Sequence, residues 1–144
     1  MSNLENGTRS GGCLCGAVRF EVAVPEGHIH ACHCGMCRRW TAGPFMSVNC
    51  PGVPDFESAD SLRWHRTSDW AERGFCGTCG SSLFFRLAKQ PEMLTVVAVE
   101  AFDDAAGLEL RQHIYIDDKP DYYEFADQAE RLTGAEFRKL IGAE

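Results

Sequence analysis

Seven of the eight cysteines in this chain stand two or three residues from another cysteine: Cys13-x-Cys15, Cys32-x-Cys34-x-x-Cys37 and Cys76-x-x-Cys79, with Cys50 alone. The polar start Met1-Ser-Asn-Leu-Glu lacks the basic-then-apolar pattern of a secretion signal, so a reducing cytoplasmic setting is expected, where structural disulfides are disfavoured. Metal ligation is then the natural use of so many closely spaced thiols.

Residues two apart on an extended segment point the same way, so Cys13 and Cys15 are expected to grip one ion from one side. Cys76-Gly-Thr-Cys79-Gly reads as a tight turn that presents a second pair. The two pairs together make a closed tetrahedral S₄ site, with zinc–sulfur distances of about 2.3 Å. Such a site would staple the first strand to the second half of the sheet, a structural role.

Cys32, Cys34 and Cys37 supply three sulfurs within six residues, and no fourth cysteine lies at motif spacing from them. Three protein ligands with one exchangeable position is the pattern of catalytic zinc. His33, between two of the ligands, should point to the opposite side of the segment. A distant fourth ligand such as His30, His33 or Cys50 would instead close the site. A redox reading of Cys34 and Cys37 lacks the surrounding βαβ pattern of thioredoxin-like motifs. Cys50, beside Pro51 at a strand end, reads as core packing, and so does His113. The expectation is one tightly held zinc and up to two per chain.

A formal charge of −7 gives no overall attraction to phosphate backbones, so nucleic acid is not an expected partner. No run approaches the roughly 20 apolar residues of a membrane helix. Val18, Phe20, Val22 and Val24 alternate with less apolar neighbours, predicting a strand over 17–24, similar short runs predict strands at 44–50, 61–66 and 82–87, the nearly all-apolar 93–99 predicts a central strand, and alternation predicts another at 110–116. Thr133-Gly-Ala-Glu136 has the form of a capping box before Phe137, Leu140 and Ile141, predicting a short helix at about 134–141. The chain thus reads as mainly β and single-domain: a tail at 1–10, a zinc-binding body at 11–125, and an extension at 126–144 carrying the helix.

In order, Gly11-Gly-Cys13-Leu-Cys15-Gly-Ala-Val-Arg-Phe20, Cys32-His-Cys34-Gly-Met-Cys37-Arg-Arg-Trp-Thr41, Phe75-Cys76-Gly-Thr-Cys79-Gly-Ser-Ser and His113-Ile-Tyr-Ile-Asp resemble one family closely. This is the glutathione-dependent formaldehyde-activating enzyme family, which also contains centromere protein V. The resemblance implies a β-tent of short antiparallel strands. It implies Cys13, Cys15, Cys76 and Cys79 as structural zinc ligands, and Cys32, Cys34 and Cys37 as catalytic zinc ligands. It further implies a carbon–sulfur lyase acting on glutathione and formaldehyde, or on a related thiol and another small electrophile. Leu14 stands where the family often has histidine.

Glutathione as cosubstrate carries two carboxylates, for which Arg38 and Arg39, directly after the three-cysteine motif, are the candidate partners, with Trp40 as an apolar wall. Two other classes remain: a non-catalytic zinc-stabilised binding module similar to centromere protein V, and a thiol redox enzyme using Cys50 or the Cys32 cluster. Oligomeric state is not legible in the sequence.

Overall fold

The computed structural model describes residues 7–143, which divide into two compact units, one of residues 7–27 with 47–108 and the other of residues 28–46 with 109–143. The chain is mainly β, as expected, and among the described residues no helix is long and apolar enough to cross a membrane.

The first unit is antiparallel. β1 (Thr8–Gly12) pairs with β2 (Arg19–Ala23), which pairs with β5 (Asp55–Ser58). A second run joins β4 (Phe45–Pro51), β9 (Leu94–Ala98), β8 (Ser82–Leu87), β7 (Ala71–Cys76) and β6 (Leu62–Arg66), with Ser47 opposite Ala98 and Leu62 opposite Cys76. The alternation in β2 does what its period requires: Phe20 and Val22 are buried while Glu21 and Ala23 are exposed. Phe84 is the centre of the apolar packing. Its ring meets Phe20 edge-on at 5.0 Å, Phe56 at 5.9 Å, and lies nearly parallel to Trp64 at 5.9 Å. Cys50 is fully buried there, as packing predicts.

The second unit holds β3 (His28–Cys32), helix α1 (Gly35–Thr41), β10 (Glu109–Ile114), β11 (Glu130–Arg131) and helix α2 (Gly134–Leu140). Here the strands depart from the antiparallel expectation, because β10 pairs in parallel with both β3 and β11. Parallel neighbours need a long connection, and residues 115–129 supply one between β10 and β11. α2 begins as the sequence predicts: the Thr133 hydroxyl accepts from the Glu136 N–H at 3.1 Å, and the Glu136 carboxylate accepts from the Thr133 N–H at 2.8 Å.

Candidate functional site

Two cysteine clusters form, one in each unit, and each brings its sulfur atoms within 4.8 Å of one another. In the first unit they are Cys13, Cys15, Cys76 and Cys79. The Cys13 pair does not lie on an extended segment as its spacing predicts. It lies in the turn between β1 and β2, closed by Cys13 N–H to the Val18 carbonyl at 3.1 Å and Gly16 N–H to the Cys13 carbonyl at 3.2 Å. A hairpin turn satisfies these backbone groups locally and still leaves the Cys13 and Cys15 sulfurs 3.7 Å apart.

The Cys76 pair sits in the predicted tight turn, where Gly80 N–H reaches the Cys76 carbonyl at 2.8 Å and Gly80 itself adopts φ 82°, a left-handed value that glycine takes without steric cost. Thr78 and Cys79 N–H groups point at the Cys76 sulfur at 3.4 and 3.5 Å, and Val18 N–H at the Cys13 sulfur at 3.2 Å. Burial opposes ionisation of Cys13, but hydrogen bonds from Val18 N–H and then Cys15 outweigh it and lower its thiol. Ser81 links the two halves, accepting from Leu14 N–H at 3.0 Å and contacting the Cys79 sulfur at 3.2 Å. That hydroxyl, together with the Ser81 backbone, holds the Cys79 thiol down to about 5.

The geometry fits a tetrahedral ion. Four sulfurs at about 2.3 Å from a shared centre stand about 3.8 Å from one another. The Cys13–Cys15 and Cys15–Cys76 separations are 3.7 and 3.9 Å.

The second cluster is Cys32, Cys34 and Cys37. Cys32 ends β3, and Cys34 is the N-cap of α1 with extended backbone at φ −68° and ψ 158°. Its sulfur accepts from the Cys37 N–H at 3.4 Å, three residues on, so the helix start itself draws Cys34 and Cys37 together. Hydrogen bonds from Cys32 and then Cys37 hold the Cys34 thiol down to about 2, while the same contacts push Cys32 far up. A soft divalent ion held there would favour the thiolate form of all three. Among the described residues no histidine, cysteine, aspartate or glutamate joins the three as a fourth ligand.

His33 points away from the sulfurs, into a buried network that spacing alone does not disclose. Its Nδ1 meets the Tyr123 hydroxyl at 2.8 Å and its Nε2 meets His113 Nδ1 at 2.9 Å. His113 Nε2 meets both carboxylate oxygens of Asp127, at 3.0 and 3.1 Å. Both histidines are fully buried. Burial, followed by the charges of His113, Lys119, Arg131 and Arg38, lowers His33 to about 4, which keeps it neutral. Burial opposes ionisation of Asp127, but the Ala129 N–H and His113 outweigh it and hold the carboxyl at about 2. Burial raises the Tyr123 phenol against the opposing charge of Arg38. Phe125 closes over both imidazoles, with ring centroids 4.9 Å from His113 and 5.5 Å from His33.

The other sequence candidates are placed as follows. Arg38 donates Nε–H to the His33 carbonyl at 2.9 Å and a second N–H to the Asp118 carbonyl at 3.3 Å, so part of its guanidinium ties α1 to the chain around it. Arg39 is exposed on the same turn. Trp40 packs edge-on against Phe45 at 5.2 Å. His30 contacts Gln112 at 3.1 Å and does not join the trio as a ligand. Burial pushes the Cys50 thiol up to about 12, the opposite of what a nucleophile needs.

A mainly β chain with a four-sulfur and a three-sulfur cluster that could each hold a metal ion is placed in a class by comparison with known proteins. Residues 8–118 match the family described as glutathione-dependent formaldehyde-activating enzyme, and the chain belongs to it. It is 32% identical over 133 residues to a Schizosaccharomyces pombe protein named an uncharacterized lyase, covering 91% of this chain and 95% of the relative. It is 31% identical over 128 residues to a Halomonas elongata protein whose printed name is "Putative glutathione-dependent formaldehyde-activating enzyme", covering 79% and 78%. A crystal structure of a Rhodobacter sphaeroides protein superposes with a TM-score of 0.56 at 26% identity, covering 65% of this chain and 87% of that one.

Proposed function

We propose that this protein is a zinc-dependent enzyme of the carbon–sulfur lyase type that joins glutathione, or a related thiol, to formaldehyde or another small electrophile, and catalyses the reverse cleavage. The observation that carries this reading is the Cys32–Cys34–Cys37 trio, three convergent sulfurs with no fourth protein ligand among the described residues. The chemistry of the donor set favours zinc at both clusters, the first closed and structural. Zinc held by three thiolates would supply a soft open position that accepts a thiol and keeps it ionised at neutral pH.

In the addition, the thiol loses its proton and its sulfur forms a bond to the carbonyl carbon. The carbonyl π pair moves onto oxygen, which takes up one proton, so the balance is thiol plus aldehyde to hydroxyalkyl thioether. Cys32, Cys34 and Cys37 define where the sulfur binds. Arg38 and Arg39 are proposed to meet the carboxylates of glutathione, Arg39 through an exposed guanidinium and Arg38 through the N–H groups not given to carbonyls. Local positive charge of this kind is needed on a chain of net charge −7.

The test is magnetisation-exchange NMR with ¹³C-formaldehyde and glutathione, with the spontaneous rate subtracted. Wild type should accelerate exchange and Cys34→Ser should return it to the spontaneous rate. A wild-type protein holding two metal ions that leaves the exchange rate unchanged would overturn the formaldehyde assignment.

A further inference from the structure

The family match ends at Asp118, yet the chain beyond it returns to the centre of the three-cysteine motif. Tyr123 and Asp127 terminate a continuous chain of hydrogen bonds, Tyr123–His33–His113–Asp127, with links of 2.8, 2.9 and 3.0 Å. The residue at the middle, His33, is held at every polar atom it has. Its N–H donates to the Ile114 carbonyl at 3.0 Å, its carbonyl accepts from Arg38 at 2.9 Å, and both ring nitrogens are engaged in the chain. On an extended segment, fixing the side chain of one residue inward aims its two neighbours outward together, and those neighbours are Cys32 and Cys34.

Packing alone does not call for this arrangement. Two fully buried imidazoles cost more than apolar side chains of like volume unless every nitrogen finds a partner. The segment that provides the partners is itself tied down. Lys119 Nζ donates to the Pro120 and Tyr123 carbonyls at 2.9 and 2.6 Å, and Arg131 donates to the Phe125 and Ala129 carbonyls at 3.0 and 2.6 Å.

We infer that Tyr123 and Asp127 are positioning residues for the three-cysteine centre, acting through His33 and His113 to set the placement of the Cys32 and Cys34 sulfurs. The inference rests on the reading of that trio as a metal site, and assigns to the chain after residue 118 a part in building it. Outer groups that orient metal ligands are worth about 10- to 100-fold in metal affinity.

The experiment is anaerobic titration of the full, metal-stripped chain with Co²⁺ against a competing chelator, followed through thiolate-to-cobalt charge-transfer and d–d absorption. Cys34→Ser identifies which binding phase belongs to the trio. Tyr123→Phe and Asp127→Asn are expected to weaken that phase about 10- to 100-fold and shift its d–d bands, while leaving the other phase unchanged. Glu124→Gln, an exposed change on the same segment, should alter neither phase. Two unaltered phases in both variants would overturn the inference and leave the proposed function standing. Parallel weakening of both phases with a lowered melting temperature would overturn it too, by assigning the network to general stability. A single phase in wild type would overturn it together with the metal reading beneath it.

Discussion

His33 shows how one side chain can be excluded as a ligand and still belong to the site. Its neighbours on either side carry sulfur, and the extended backbone turns its own ring the other way. Burial holds that ring neutral, with its proton affinity lowered from 6.5 to about 4. Between those two values the unfolded chain binds a proton at this position and the folded chain does not, so stability rises with pH across the window and the loss begins as pH falls below 6.5. His33→Gln removes the titration while keeping hydrogen-bonding capacity. The variant is expected to melt lower at neutral pH, and its melting temperature should depend less steeply on pH from 6.5 to 4 than that of wild type. Equal slopes in metal-loaded samples would show that residue 33 does not contribute in this way.

α1 and α2 are both seven residues long and both owe their start to a side-chain cap, but the caps serve different ends. In α1 the capping atom is a sulfur of the trio, so forming the first turn also brings two of its three cysteines together. In α2 the cap is a conventional box, and the helix is seated by close approach: the Gly134 N–H donates to Asp117 Oδ1 at 2.8 Å, and a Cβ added at Gly134 would stand 2.5 Å from the Tyr115 ring. Helix propensity favours alanine over glycine by about 1 kcal/mol. Tyr115 cannot yield easily, since its backbone is already in the left-handed region at φ 55°. Gly134→Ala is therefore expected to destabilise by about 1–3 kcal/mol, with faster hydrogen exchange at Phe137 and Ile141. A gain in stability would mean that the ring swings aside at little cost.

Across the molecule the two clusters differ in how much chain they bind together. The four-cysteine cluster joins residues 13 and 15 to residues 76 and 79, whereas the trio closes a loop of only six residues. Zinc binding at a four-ligand site of this kind is worth about 10 kcal/mol or more, comparable with the whole stability of a small domain. Cys76→Ser should therefore abolish cooperative thermal unfolding at any zinc concentration. Cys34→Ser should retain a cooperative transition and one tightly bound zinc, because a short loop loses little entropy on closure. Calorimetry with metal analysis on both variants separates the roles, and a cooperative, metal-free Cys76→Ser protein would refute the structural one.

Local chemistry determined what the sequence alone could disclose. Cysteine spacing marked both clusters, short apolar runs marked β2, β4, β6, β8, β9 and β10, and the Thr133–Glu136 pattern marked α2, since each signal is complete within a few residues. The β7 strand was not legible, because Ala71–Cys76 lacks a clear apolar period and owes its place to the strands on either side. Parallel pairing of β10 with β3 was not legible either, because a strand's own residues do not record the direction of its neighbour. The hydrogen-bonded line from Tyr123 to Asp127 was beyond the sequence for a related reason. Its members lie at positions 33, 113, 123 and 127, no spacing rule links them, and two buried imidazoles are tolerable only once the fold has brought a hydroxyl and a carboxylate to their free nitrogens. Short-range spacing can name the atoms that would hold a metal; only long-range packing decides which groups stand behind them.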